Sequence, residues 1–204
     1  MGFYAKHILP LCLDKACGVK PVQKQREKIV PLAMGKVLEI GIGSGLNLPH
    51  YNFNAVSDIT GVDPDDHIWK RSAANRAACP VPVNRVGLSG EEILMDDSSM
   101  DSVVVTYTLC TIADPVKALR EMARILRPGG AIYFSEHGCA PDKNIARWQT
   151  RIDPIWGKIA GGCHSGRDIP ALFSTAGIAI ESLEQMYIPG PKVLSYNYWG
   201  IARP

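Results

Sequence analysis

The chain has 204 residues, 46% of them hydrophobic and 21% charged, with a formal net charge of +2. That length suits one domain with a substantial core, and the balance is ordinary for a globular protein. Lysine and arginine are scattered, which argues against a nucleic-acid partner, and no apolar run approaches the length of a bilayer span.

The N-terminus, Met1 to Leu13, is apolar but short, is broken by Pro10 and turns charged at Asp14 and Lys15, which argues against a signal peptide. A Met-Gly start suggests myristoylation, but Lys6 stands where Ser or Thr is wanted. A cytoplasmic location without stable membrane insertion is therefore the expectation. Lys24 to Val30 is rich in helix formers and is followed by Pro31. Residues 1–34 are expected to form a helical cap on a single domain spanning 1–204.

Val37-Leu38-Glu39-Ile40-Gly41-Ile42-Gly43-Ser44-Gly45 comes next, a buried strand running through an acid into three alternating glycines. Glycines there permit positive φ and let a ligand lie against the backbone. A helix is expected to follow, its unpaired amides favouring a negative group on a nucleotide-like ligand. A dinucleotide site needs G-x-G-x-x-G, and here Leu46 occupies the place of the third glycine. Ile59 to Val62 reads as the second strand, with Asp63 at the position where an acid accepts both hydroxyls of a ribose.

Asp65 to Ala78 looks helical and is stopped by Cys79-Pro80; Val83 to Leu88 reads as a third strand and Asp101 to Tyr107 as a β-branched fourth. Asp114-Pro115 opens a helix with an apolar face of Val116, Leu119, Met122, Ala123 and Leu126. Leu126-Arg127-Pro128-Gly129-Gly130 ends it, and Ala131 to Glu136 is the fifth strand. This alternation implies a parallel α/β sheet. Asp168 to Ala176 looks helical with Gly177 as its stop. Ile178 to Tyr187 and Val193 to Ala202 then read as two strands whose short connection cannot hold a crossover helix, so they must be antiparallel if adjacent.

With Glu39 to Gly45, Asp63, Gly90-Glu91 and the Leu-Arg-Pro-Gly-Gly run before strand five, the chain resembles class I S-adenosylmethionine (SAM)-dependent methyltransferases. More narrowly it is similar to the methyltransferase-like 7 proteins, a thiol methyltransferase branch near the ubiquinone/menaquinone-biosynthesis enzymes. That likeness rests on Gln25 to Ala33, Ile40 to Pro49, Ser135-Glu136-His137 and Gly162-Cys163-His164. The resemblance implies an α/β, Rossmann-like fold: a seven-stranded, mostly parallel sheet with an antiparallel C-terminal hairpin and helices on both faces. It implies that Glu39 meets the methionine amino end, that Gly41, Gly43 and Gly45 pass beneath methionine and ribose, and that Gly90 and Glu91 sit at the adenine. Thr106 and Tyr107 would lie under the methionine. Mammalian members carry an N-terminal apolar segment for membrane association; a segment of that length is not seen here, so location and substrate are expected to differ.

The implied reaction is methyl transfer to a small thiol, oxygen or carbon nucleophile. A non-catalytic SAM-binding module and an NAD oxidoreductase are the alternatives. His137 after strand five and His164 in the glycine-rich Gly161 to Arg167 loop are the candidate bases. Trp148, Trp156 and Tyr187 are expected in the core. No metal is expected, because His137 with Cys139, and Cys163 with His164, lie in different elements without structural-zinc spacing.

Overall fold

The computed structural model describes residues 9–204. Met1 to Ile8, on which the signal-peptide and lipidation readings mainly fall, lie outside the described residues. Two helices, α1 (Leu9–Cys17) and α2 (Lys20–Ile29), precede a sheet of β1 (Gly35–Ile40), β2 (Val56–Val62), β3 (Val83–Val86), β4 (Met100–Thr106), β5 (Leu126–His137), β6 (Ala179–Tyr187) and β7 (Tyr196–Arg203). The helices between are α3 (Asp66–Arg71), α4 (Ala73–Ala77), α5 (Pro115–Ile125), α6 (Lys143–Ile159) and α7 (Ile169–Ala176). The strand order is β3-β2-β1-β4-β5-β7-β6. The first five strands pair in parallel, and β7 runs antiparallel between β5 and β6.

Side chains alternate along the central strands and divide the core between the two faces of the sheet. Leu38, Ile40, Val103, Val105, Ile132 and Phe134 pack against α5 and α7. Val37, Val104 and Tyr133 pack on the opposite side with Ile29, Val30 and Tyr51. Helices therefore cover both faces, and the strands' carboxyl ends, where open α/β sheets bind ligands, come together at one edge.

Local chemistry explains the helix starts. The Asp114 carboxylate accepts from the Lys117 amide at 2.9 Å with Pro115 beside it, and Asp168 caps α7 by accepting from Ala171 N at 3.1 Å. Gly177 at φ 81° closes α7. The buried stripe of α5 is Ala118, Leu119, Met122 and Ile125, a small rotation from the face expected.

Three expectations are corrected. Asp65 to Ala78 is two short helices broken at Ser72, whose hydroxyl donates to Trp69 O at 2.7 Å instead of continuing the helix. The glycine turn leads only into a 3-10 turn, Leu48–His50, and not into an α-helix. Tyr51 is extended there because its hydroxyl is committed to Glu39, and Asn52 folds back to accept from Asn54 N at 3.2 Å. Helix α6 carries no clear helical signal in the sequence, because Pro154 and Gly157 interrupt its pattern. Its Trp148 is 55% exposed, outside the core.

Phe134 of β5 and Phe173 of α7 are fully buried with ring centroids 4.6 Å apart, joining sheet and helix layer. Phe173→Ala should cost about 3–5 kcal/mol in urea unfolding; a loss under about 1 kcal/mol would contradict this packing.

Candidate functional site

A crevice of about 250 Å³ opens at the carboxyl edge of the parallel strands. Glu39, Gly41, Gly43, Asp63, Thr106, Tyr107 and His137 line it, and Pro10, Leu13, Asp14 and Cys17 of α1 form one wall. Gly41 has φ 71°, and a Cβ there would stand 2.3 Å from Thr108 Oγ1, so only glycine fits. Gly43, at φ 53°, brings its amide to Asp63 Oδ2 at 3.0 Å. The second Asp63 oxygen accepts from Asp65 N at 2.8 Å. Each oxygen keeps a further lone pair. Burial raises the Asp63 pKa, and the amides of Asp65 and Gly43 partly offset it.

Glu39 is 1% exposed. Its oxygens accept from Asn47 Nδ2 at 3.0 Å and Tyr51 OH at 2.7 Å. Burial raises its pKa to about 7, against the pull of Tyr51, Arg26 and Asn47. Arg26 reaches the same place from α2: its Nη1 donates to Asn47 Oδ1 at 2.6 Å and Thr106 Oγ1 at 2.5 Å, and the guanidinium carbon lies 5.2 Å from the Tyr107 ring centroid. Its Nε is buried without a partner. Arg26 lines the crevice, so the cation available to an anionic ligand group is a side chain and not the helix end expected after the glycine turn. Asn47 is the link between Arg26 and Glu39.

Tyr107 follows β4 in the left-handed region, φ 53°, which a residue with a Cβ occupies at a cost. The conformation is held by Tyr107 OH donating to Asn197 Oδ1 at 2.6 Å and Tyr107 N donating to Ser135 O at 2.9 Å. Burial raises the phenol's pKa. The next residues, Thr108 and Leu109, donate their amides to Glu136 Oε1 at 2.7 and 3.0 Å, and burial raises Glu136 to about 7.

His137 closes the far end of the crevice, stacked on Tyr107 at 6.4 Å, with Nε2 3.3 Å from Cys163 Sγ. Burial lowers this imidazole's pKa, but Cys163 and Glu136 more than offset it, so the net shift is upward. Cys110 and Cys163 also line this end. The Cys110 thiol and burial together push Cys163 well up. Sequence spacing did not signal this cluster, because its members come from three separate segments.

Other expected residues lie elsewhere. His164 is not among the lining residues; its Nδ1 meets Asp153 Oδ2 at 2.8 Å and anchors the glycine-rich loop to α6. Gly45 shapes the turn, where a Cβ would come within 2.8 Å of Leu48. Gly90 packs near Ile40, and Glu91 Oε1 accepts from Asp114 N at 2.6 Å; neither lines the crevice. Trp148, Trp156 and Tyr187 do not line it either.

A methyltransferase-domain family model matches residues 38–134. The chain is 31% identical over 175 residues to the Homo sapiens thiol S-methyltransferase TMT1A, covering 82% of this chain and 67% of that protein. It is 39% identical over 140 residues to the human thiol S-methyltransferase TMT1B, covering 64% of this chain. The chain spans 55% of the length of the human and rat TMT1B proteins. A crystal structure of an S-adenosylmethionine-dependent methyltransferase from Mesorhizobium loti matches with TM-score 0.69 at 16% identity, over 92% of this chain and 99% of that one. Among the described residues, no helix is long and apolar enough to cross a membrane.

Arg26→Met keeps much of the volume and removes the cation. Carboxyl NMR should show Glu39 titrating above its present value near 7, and stability should fall by about 1.5–3 kcal/mol. An unmoved Glu39 titration would mean that Arg26 does not act on it.

Proposed function

Because the chain belongs to the class I SAM-dependent methyltransferases, whose cofactor is SAM, we propose that it transfers a methyl group to a small-molecule acceptor, and that the acceptor is a thiol. The observation that carries this reading is the continuous crevice from Asp63, past Glu39 and Arg26, to His137 and two cysteines. The relatives' naming as thiol S-methyltransferases supports the acceptor class.

The crevice chemistry fits the cofactor. Gly41 and Gly43 bring bare backbone to the crevice wall, Gly41 with Thr108 packed where its side chain would stand, and Asp63 has lone pairs for two ribose hydroxyls. Glu39 suits an α-ammonium, and the unpartnered Nε of buried Arg26 marks donor capacity suited to an α-carboxylate. Bound SAM supplies a methyl carried on a sulfonium, an already activated electrophile. The protein's task is then to orient the nucleophile and exclude water, which in favourable systems lowers a barrier by up to about 7–11 kcal/mol. Tyr107, locked by Asn197 and Ser135, gives the acceptor end a rigid aromatic floor. Helix α1 shields the crevice, tethered by Asp14, which accepts from Ser44 Oγ in the glycine turn and pairs with Arg71 at 2.8 Å. His137 stands at the acceptor end; His164, outside the crevice, has a positioning role through its loop.

Three measurements test this. SAH should form from SAM with a panel of alkyl and aryl thiols; SAM binding without turnover on that panel would mark a binding module instead. Asp63→Ala should weaken SAM binding by about 1.5–3 kcal/mol in calorimetry; an unchanged affinity would take Asp63 out of the site.

Glu39 sets the pH dependence. With its carboxyl titrating near 7, it is largely protonated at lower pH, and an arriving ammonium must expel that proton. The ligand's own amine stays charged below about 7.7. SAM affinity should therefore fall roughly five- to ten-fold from about pH 7.5 to about pH 6, with proton release on binding. Glu39→Gln should flatten the profile, and an unaltered slope would exclude this contact.

A further inference from the structure

At the acceptor end of the crevice, Cys110, His137 and Cys163 bring two thiols and an imidazole together, their ligand atoms all within 4.8 Å of one another. We propose that these three residues bind a soft divalent cation of the zinc type, and that its fourth coordination position receives the acceptor's sulfur.

Tetrahedral zinc with bonds of about 2.3 Å to sulfur and about 2.0–2.1 Å to nitrogen sets its ligand atoms roughly 3.4–3.8 Å apart. The separation of 3.3 Å from His137 Nε2 to Cys163 Sγ is already close to that spacing. Two sulfurs and one imidazole select zinc over magnesium or calcium, and three protein ligands leave one position open, the arrangement of reactive rather than structural zinc.

The supporting groups hold this arrangement in place. His164 N donates to Cys110 O at 2.8 Å, tying the loop after β4 to the glycine-rich loop. Arg167 Nη1 donates to the carbonyls of Leu109 and Ile112, on either side of Cys110. Asp153 Oδ1 accepts from Ser165 N at 2.8 Å, and buried Gln149 donates to Ser165 O at 2.9 Å. The loop carrying Cys163 is thus fixed to α6 and to the loop after β4. By contrast, the thiols make only weak contacts, Cys110 Sγ lying 3.5 Å from Thr111 Oγ1. Desolvating two thiols beside an imidazole returns little unless something binds them.

This inference rests on the thiol-methylation reading and deepens it. An acceptor R–SH entering the open position loses its S–H proton to solvent, and its sulfur binds the cation as a thiolate. That is the nucleophilic form of sulfur, obtained without a general base. His137 then serves as a ligand.

The test uses cobalt(II) as a spectroscopic probe on the full chain, stripped with chelator under reducing conditions. One equivalent should give thiolate-to-cobalt charge-transfer absorption and tetrahedral visible bands, which ethanethiol should shift. Cys110→Ser and Cys163→Ser should weaken cobalt binding on the order of a hundred-fold, while Cys139→Ser should leave it unchanged. SAM calorimetry on each variant reports folding and the cofactor site separately. Charge-transfer bands absent from wild-type protein that binds SAM would overturn the metal site and leave the methyltransferase reading standing. A Cys110–Cys163 disulfide persisting under reductant, or cobalt bands that survive both serine variants, would overturn it equally. Failure to bind SAM at all would instead count against the function proposed above.

Discussion

A carboxylate lies buried where β1 meets the glycine turn, and its need for partners organises the site. Glu39 has almost no contact with solvent, so its charge must be shared out by hydrogen bonds. Tyr51 and Asn47 take its two oxygens, Asn47 hands the second contact on to Arg26, and Arg26 reaches Thr106 at the end of β4. One network thus joins α2 to β1 and β4. It also accounts for the short 3-10 turn in place of a helix after the glycines, because Tyr51 has to leave the helical path to reach Glu39. A group balanced near neutrality in this setting responds strongly to a cation entering the crevice.

Much of this was legible in the sequence where the information is local. The strands were read from β-branched runs and the helix starts from Asp-Pro and aspartate caps, because both depend on neighbouring residues. The antiparallel end of the sheet followed from the length of one connection, which could not hold a crossover. For the same reason the turn and the strand ends carry Glu39, Gly41, Gly43, Asp63, Thr106 and Tyr107 in fixed order, and all of them line the crevice.

What was missed depends on distant segments meeting. Arg26 looked like one helix former among several, since nothing near it in the chain signals burial beneath Asn47. Cys110, His137 and Cys163 come from a loop, a strand end and a glycine-rich loop, so no local spacing announces them. Helix α6 was obscured because Pro154 and Gly157 break its pattern and because Trp148, Ile155 and Ile159 are exposed. His164 looked like a reactive residue because of its glycine-rich setting. Its bond to Asp153 fixes the loop that delivers its neighbour Cys163.

The crevice therefore has two chemically different ends. One offers carboxylates, a guanidinium and open backbone, suited to a charged adenosyl ligand. The other offers an aromatic floor and soft donors, suited to sulfur. The most direct measurement is a crystal structure of the protein with S-adenosylhomocysteine. The ribose hydroxyls are expected on Asp63, the amino group on Glu39 and the carboxylate on Arg26, with the sulfur pointing toward His137. A ligand bound outside this crevice, or lying in it reversed with adenine at His137, would contradict the account.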